Sequence, residues 1–242
     1  MDIIDYHSHL PWPRDTNSFD PSALIRDMDD NSIALRMVSA LKAATVSEGN
    51  ATVLNLAERH PDRILASAVI DPRQPDVVAY LTALLSEGTF RAVELDPMEF
   101  NFFPSEMDAL DEVFDLCGQH GVVVNVFTGW GSRTMPAQWT DLVDRHPTTD
   151  LVYLHMGGPD FGYGCVDLIQ PSNRIYAETS GLYELPVLRR AFASLPPERF
   201  LFGSGYPTKI SACSIEVFDS LELTATQRQA LFRDNAAALL KL

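Results

Sequence analysis

The sequence predicts an α/β protein, a single (β/α)₈ TIM barrel over residues 1–242, and three observations lead to this fold. The chain has 242 residues, close to the roughly 250 that such a barrel uses. Short apolar, β-branched runs recur at intervals of roughly 25 to 35 residues, and the segments between them have helical periodicity. Strand and helix that alternate eight times favour a parallel sheet with right-handed crossovers.

Eight segments are predicted to form the strands, because each is a short apolar run bounded by turn residues. In chain order they are Ile3–Tyr6, Ala34–Ala40, Leu65–Ile70, Ala92–Leu95, Val122–Phe127, Leu151–Leu154, Arg174–Glu178 and Arg199–Gly203.

The intervening segments are predicted to be helices. Pro21, Pro75 and Pro136 lie near helix starts, where a missing N–H is tolerated. The glycine-rich segment 157–172 is irregular, so the sixth helix is expected to be short or replaced by a loop. A doubly wound open sheet is the alternative, but the chain has no glycine-rich phosphate-binding turn after an early strand.

Composition limits the classes of partner. The net charge of −15 repels phosphate backbones and anionic lipid, so nucleic acid and membranes are not expected as partners. The three cysteines form no metal-binding or disulfide spacing, and no basic leader or apolar run of 18 residues is present. We therefore expect a cytoplasmic protein that acts on a small molecule, and homo-oligomer formation stays open.

The first predicted strand leads into His7-Ser8-His9. Barrel enzymes place their chemistry at the C-terminal ends of the strands. Residues two apart on a strand face the same way, so His7 and His9 are expected to point together into the barrel mouth. Two converging imidazoles can chelate one divalent transition metal. The alternative is a pair of hydrogen-bonded polar residues on a loop.

Three more polar side chains occur in or after predicted strands. Glu94 shares a face with Ala92 and Asp96, and an interior carboxylate is unfavourable unless it is paired or bound to metal. His155 follows the sixth strand and Glu178 ends the seventh. The alternatives are a histidine or arginine partner for Glu94 and a hydrogen-bonded core position for His155.

Four residues in the loops after strands five and eight are predicted to bind substrate. Trp130 and Arg133 follow strand five, and Tyr206 and Lys209 follow strand eight. Such loops could supply an aromatic wall and a cationic anchor for a substrate that carries a carboxylate. Ordinary surface packing is the alternative for each residue.

Several motifs together resemble the amidohydrolase-related branch of the amidohydrolase superfamily over almost the whole length. They are Asp5-Tyr6-His7-Ser8-His9, the turn Ala68–Pro72, the histidine motif Val152–Gly158, the run Phe202-Gly203-Ser204-Gly205-Tyr206-Pro207 and the closing segment Asn235–Leu240. The resemblance implies a single amidohydrolase-like barrel domain over residues 1–242.

The chain departs from this family pattern at two strand ends. The resemblance implies a metal-ligating histidine after strand five, where this chain has Phe127. It also implies an aspartate after strand eight that ligates metal and handles the proton of the attacking water, where this chain has Gly205. Neither side chain has an atom that can bind metal, so the family mechanism cannot be applied unchanged to this chain.

The sequence therefore leaves three hypotheses. In the first, His7, His9, Glu94 and His155 hold one divalent metal such as Zn²⁺, and a C–N or C–O bond of a small carbonyl-containing substrate is hydrolysed. In the second, no metal is bound and the same side chains act alone in lactone hydrolysis, decarboxylation or isomerisation. In both, His155, Glu94 and Glu178 are the candidate catalytic residues. The third hypothesis is a non-catalytic barrel that binds a ligand or partner.

Overall fold

A computed structural model describes residues 2–10 and 20–242. Within this part of the chain, eight parallel strands pair in sequence order and confirm the predicted (β/α)₈ barrel. The strands are β1 Ile3–His9, β2 Ile33–Ser39, β3 Ile64–Val69, β4 Phe90–Leu95, β5 Val123–Phe127, β6 Leu151–Leu154, β7 Ile175–Glu178 and β8 Phe200–Leu201.

Helices alternate with the strands and cover the outside of the sheet. They are α1 Pro21–Asp30, α2 Val46–Arg59, α3 Val77–Ser86, α4 Ala109–His120, α5 Thr140–Arg145, α6 Gly158–Ile169, α7 Leu185–Ser194, α8 Ser211–Glu216, α9 Ala225–Gln229 and α10 Asn235–Leu240, with a π-helical turn at Ala230–Asp234. No helix within the described residues is long and apolar enough to cross a bilayer.

Backbone hydrogen bonds between β1 and the segment that begins at β8 bring the two ends of the sheet together. The Tyr6 N–H donates to Phe202 O over 2.8 Å, and the His9 N–H donates to Tyr206 O over 2.7 Å. In the opposite direction, the Gly205 N–H donates to His7 O over 3.0 Å. The residues after β8 are therefore fixed beside the histidines of β1.

Apolar side chains form two buried layers. The larger layer lies between the sheet and the helices and includes Val93 and Leu95, which face outward as the period-2 pattern predicts. The smaller layer fills the barrel interior, with Ile4 and Tyr6 among its members. Ala236 and Leu240 of α10 belong to this inner layer.

A β-bulge interrupts the alternation of β1. Asp5 pairs with Arg36 and Ser8 pairs with Val38, so β1 has one more residue than β2 between these pairs. Strict alternation from Ile4 and Tyr6 would turn Ser8 inward. The extra residue changes the phase, and His7 and His9 face the interior instead.

The expectation for segment 157–172 is wrong, because a 12-residue helix, α6, occupies most of it. The glycines of this segment allow neighbouring elements to pack closely and do not interrupt the helix. A Cβ on Gly162 would lie 2.8 Å from Val187 Cγ1 of α7, so the missing side chain lets α6 and α7 pack closely. Gly157 and Gly158 adopt positive φ at the helix start.

Asn50 of α2 is buried and holds the end of β3. Its amide bonds to both the N–H and the C=O of Val69, each over 2.8 Å, and to the Tyr80 hydroxyl. We expect Asn50→Ala to lower the free energy of unfolding by roughly 2–3 kcal/mol, because it leaves buried backbone groups unpaired. Urea unfolding measures this, with the exposed Glu58→Ala on the same helix as a control that changes stability by less than about 0.5 kcal/mol. Equal effects of the two substitutions would contradict the assigned role of Asn50.

Candidate active site

The C-terminal ends of β1, β4, β6 and β7 bring four titratable side chains together. His7, Glu94, His155 and Glu178 are each at most 8% exposed. His9 is more accessible, with 18% of its side chain exposed. The sequence-predicted polar residues of these four strand ends therefore form one cluster inside the barrel mouth.

His7, His9 and Glu94 form the first half of this cluster. His9 Nε2 lies 3.1 Å from Glu94 Oε1, and His7 Nε2 lies 3.9 Å from the same oxygen. One nitrogen or oxygen of each residue lies within 4.8 Å of the others, a grouping that could hold a metal ion. Within the described residues, His7 Nε2 and Glu94 Oε2 are buried and have no hydrogen-bond partner.

His7, His155 and Glu178 form the second half, so His7 belongs to both. His7 Nδ1 lies 3.5 Å from Glu178 Oε2. That same oxygen accepts the His155 N–H over 2.9 Å and the Ser180 hydroxyl over 2.8 Å. Gly203 makes room for the carboxylate, because a Cβ there would lie only 1.9 Å from Glu178 Oε1.

The charges of His7 and the two carboxylates depend on each other. Burial alone would lower the pKa of His7, but contacts with Glu178 and Glu94 outweigh it and raise the pKa to about 10. Burial would likewise raise the pKa of both carboxyls. The neighbouring histidines outweigh burial and hold the pKa of Glu94 well below its usual range, and they also lower that of Glu178. Without a bound cation, His7 is therefore an imidazolium between two carboxylates.

His155 is held in the opposite charge state. Burial, supported by the charge on His7, lowers the pKa of His155 to about 4, so its ring is neutral near pH 7. Its Nδ1 lies 2.8 Å from the carbonyl oxygen of Ser180. A carbonyl can only accept, so Nδ1 carries the proton and Nε2 keeps the lone pair.

Aromatic rings surround His155 on the β5 side. Phe127 stands where the family resemblance implies a metal-ligating histidine, and its ring lies 5.0 Å from that of His155. Trp130 stacks on Phe127 at 5.3 Å and contacts His155 at 5.2 Å. The predicted aromatic wall of Trp130 is thus next to the site, and its apolar surface favours the neutral imidazole.

Lys209 takes up the space beside Gly205. A Cβ on Gly205 would lie 3.1 Å from Lys209 Cγ. A Cβ on Gly181 would lie 3.7 Å from His155 Nδ1 and 3.9 Å from Lys209 Nζ, so both atoms border the same small space. Among the described residues, no carboxylate forms a salt bridge with Lys209. Its ammonium group lies 5.9 Å above the Tyr183 ring.

The other two predicted substrate-binding residues have different surroundings. Arg133 lies over the Phe103 ring at 5.2 Å and is half-buried. The Tyr206 ring covers the guanidinium of buried Arg36 at 4.9 Å. This contact uses the ring of Tyr206 in packing. The roles of these residues in substrate binding stay predictions.

Sequence reasoning missed Ser180 and named Asp96 without giving it a role in the site. The Ser180 hydroxyl lies 3.0 Å from His7 Nδ1 and 2.9 Å from His155 Nδ1, so it links the two halves of the cluster. Burial raises the pKa of Asp96 to about 6. Asp96 was recognisable as sharing a face with Glu94, whereas Ser180 lies beyond the end of β7 and gave no signal.

A cavity of about 590 Å³ lies at the C-terminal ends of β2, β3 and β4. Its lining includes Val69, Asp71, Arg73, Tyr80 and Phe100. Val69 pairs in register with Glu94, but none of His7, His9, Glu94, His155 and Glu178 lines the cavity. Its volume lies in the range of small-molecule sites.

A family model described as amidohydrolase matches residues 4–242. A comparison with curated protein sequences finds no match.

Three solved structures illustrate the fold similarity. An uncharacterized TIM-barrel protein from Bordetella bronchiseptica has a TM-score of 0.83 and 19% identity, over 100% of this chain and 99% of that one. The 2,6-dihydroxybenzoate decarboxylase from Rhizobium has a TM-score of 0.76 and 15% identity, over 99% and 98%. The 5-carboxyvanillate decarboxylase from Novosphingobium aromaticivorans, complexed with manganese and 4-hydroxy-3-methoxy-5-nitrobenzoic acid, has a TM-score of 0.72 and 15% identity, over 91% and 80%.

The low pKa of His155 predicts a pH dependence of stability. Between pH 6.5 and about 4 the unfolded chain binds a proton at this histidine and the folded chain does not. The free energy of unfolding should therefore fall as the pH is lowered through this window. Urea unfolding of metal-free protein measures the slope, and His155→Gln should make it shallower. The exposed His120→Gln serves as the control and should leave the slope unchanged. An unchanged slope in His155→Gln would contradict the neutral state of His155.

Proposed function

The chain belongs to the amidohydrolase family, and from this membership we propose an enzyme that hydrolyses or decarboxylates a small carbonyl-containing substrate at the barrel mouth. We propose that His7, His9 and Glu94 hold one divalent metal ion, and that His155 is the nearby base. The observation that carries the proposal is the pair of unpartnered buried atoms, His7 Nε2 and Glu94 Oε2.

The donor atoms fit a divalent ion. Buried polar atoms normally have partners, and a cation between these three side chains would satisfy both unpartnered atoms at once. Two imidazoles and one carboxylate suit Zn²⁺ or Mn²⁺. His155 was also predicted as a ligand, but it groups with His7 and Glu178 rather than with His9 and Glu94. We therefore propose a three-residue metal site.

A divalent ion held there would polarise a substrate carbonyl and lower the pKa of water. An ion bound at His7 Nε2 would take the place of the proton there, so affinity should increase with pH. Ser180 and Glu178 contact Nδ1, the other ring nitrogen of His7. This arrangement fixes the ring orientation of His7 and leaves Nε2 for the ion.

The base in this proposal is His155. Its Nε2 is the unprotonated ring nitrogen and accepts a proton from the nucleophile or returns one to the product. Glu178 accepts a hydrogen bond from the backbone N–H of His155 and so fixes the position of His155. Glu178 does not take the substrate proton in this proposal. Glu94, which the sequence predicted to be catalytic, acts here as a ligand. This assignment moves the proton-handling role from the position of Gly205 to the end of β6.

The substrate we propose carries a carboxylate beside the reacting carbonyl or is a carboxylic acid itself. Lys209 and Arg133 supply cationic groups near the mouth, and Trp130 supplies an apolar wall. Two structural neighbours are named as decarboxylases of aromatic acids, which supports an aromatic acid as the first substrate class to test.

One observation favours a metal-independent enzyme as the second candidate. The imidazolium of His7 already compensates the charge of Glu94 and Glu178. Such a site could polarise a carbonyl with the His7 cation while His155 accepts the proton. Activity that survives thorough removal of metal by a chelator would select this candidate over the first. A non-catalytic barrel is less favoured, because a binding scaffold does not require four buried titratable groups at its strand ends.

Metal affinity tests the ligand assignment. We expect about one Zn²⁺ or Mn²⁺ per chain by calorimetry, with Glu94→Gln weakening binding by at least about tenfold because the ion loses its anionic ligand. Glu99→Gln is the matched control, since Glu99 pairs with Lys42 outside the cluster. Equal affinities in both variants would exclude Glu94 as a ligand.

Turnover tests the base assignment. Once CO₂ release or hydrolysis is found in a panel of hydroxybenzoates and lactones, His155→Gln should lower kcat by about 10²- to 10⁴-fold while metal content stays constant. The exposed His120→Gln should retain full activity. An active His155→Gln would overturn the role of His155, and no turnover on any panel member would count against the substrate class.

A further inference from the structure

The bulge in β1 is anchored by one carboxylate. Asp5 Oδ1 accepts the Ser204 N–H over 2.7 Å and lies 3.4 Å from the His7 N–H. Asp5 Oδ2 accepts the Ser204 hydroxyl over 2.6 Å and the Arg36 Nε–H over 2.7 Å. Asp5 therefore contacts the bulge, the neighbouring strand β2 and the segment after β8 at the same time.

The bulge decides which side chains enter the barrel. A slip of one residue moves a whole strand face from inside to outside. Without the extra residue, Ser8 would face the interior and both histidines would face the helices. The backbone around His7 must therefore be held in the bulged form for His7 and His9 to meet Glu94.

Buried charges hold Asp5 in place. Arg36 is fully buried and bonds Asp27 Oδ2 over 2.6 Å as well as Asp5. The Ser211 hydroxyl donates a hydrogen bond to Asp27 Oδ2, and the Tyr206 ring covers the Arg36 guanidinium. Because the guanidinium is planar, its bonds to two carboxylates have fixed directions, and Arg36 therefore holds Asp5 rigidly.

We propose that Asp5 is a positioning residue, which fixes the β1 bulge through Ser204 and Arg36 and thereby makes His7 and His9 converge on one metal ion. This inference rests on the proposed function for the ion. Asp5 faces the helix side of β1. It would affect metal binding by orienting the ligands His7 and His9 and would not bind the ion itself.

The competing explanation is that Asp5 only stabilises the fold. Removal of the buried charge of Asp5 is destabilising because it leaves Arg36 with Asp27 as its remaining carboxylate partner, so Asp5→Asn alone does not separate the two explanations. The double variant Asp5→Leu with Arg36→Met does, because replacing a buried ion pair with apolar residues often preserves stability. It removes every hydrogen bond of Asp5 while Asp27, which is 19% exposed, stays solvated.

The experiment measures thermal midpoint and Mn²⁺ affinity for the wild type, Asp5→Asn and the double variant. We expect the double variant to be at least as stable as Asp5→Asn and still to bind Mn²⁺ at least about tenfold more weakly than the wild type. The control is Leu24→Ala in the larger buried layer between the sheet and the helices, which should lose stability but keep its Mn²⁺ affinity. Wild-type Mn²⁺ affinity in the double variant would overturn the proposal.

A second readout does not depend on the ion. In metal-free protein, the ring ¹⁵N signals of His7 and His9 should shift in Asp5→Asn and in the double variant, and remain unchanged in Leu24→Ala. A wild type that binds no Mn²⁺ would refute the proposed metal site, and these signals would then test Asp5 alone. Unchanged histidine signals in the double variant would refute the positioning role.

Discussion

The site depends on the burial of two carboxylates around one imidazole. Glu94 and Glu178 are both almost inaccessible, and His7 contacts each of them. Buried acids remain ionised only where positive charge or hydrogen bonds compensate the lost hydration. The missing side chain of Gly203 and the bulge of β1 both serve this arrangement, because one makes space for Glu178 and the other turns His7 inward.

The same constraint explains why two charge states coexist among the histidines. His7 receives the charge of two acids, whereas His155 is surrounded by rings and by the imidazolium of His7. Phe127, in the place of a family ligand, therefore contributes to a neutral His155. Lys209 lies beside Gly205, where the family resemblance implies an aspartate. The chain thus has apolar surface and a cation where ligands are implied, and this difference motivates the shift of the base to His155.

Sequence patterns predicted the barrel because each strand is a short apolar run, and all eight predicted segments overlap observed strands. They also singled out His7, His9, Glu94, His155 and Glu178, which the structure brings together, since polar residues at apolar strand ends stand out. The β1 bulge was not predictable, because Asp5 beside it bonds to Ser204, a partner 199 positions away. Helix α6 was missed for a related reason: the value of Gly162 appears only when Val187 packs against it.

We propose above that one divalent ion binds between His7, His9 and Glu94. Anomalous diffraction from crystals soaked in Mn²⁺ or Zn²⁺ tests this most directly. We expect a single peak at about 2.0–2.2 Å from His7 Nε2, His9 Nε2 and a Glu94 oxygen. A peak between His7, His155 and Glu178 would contradict it, and so would no peak in the barrel mouth at saturating metal.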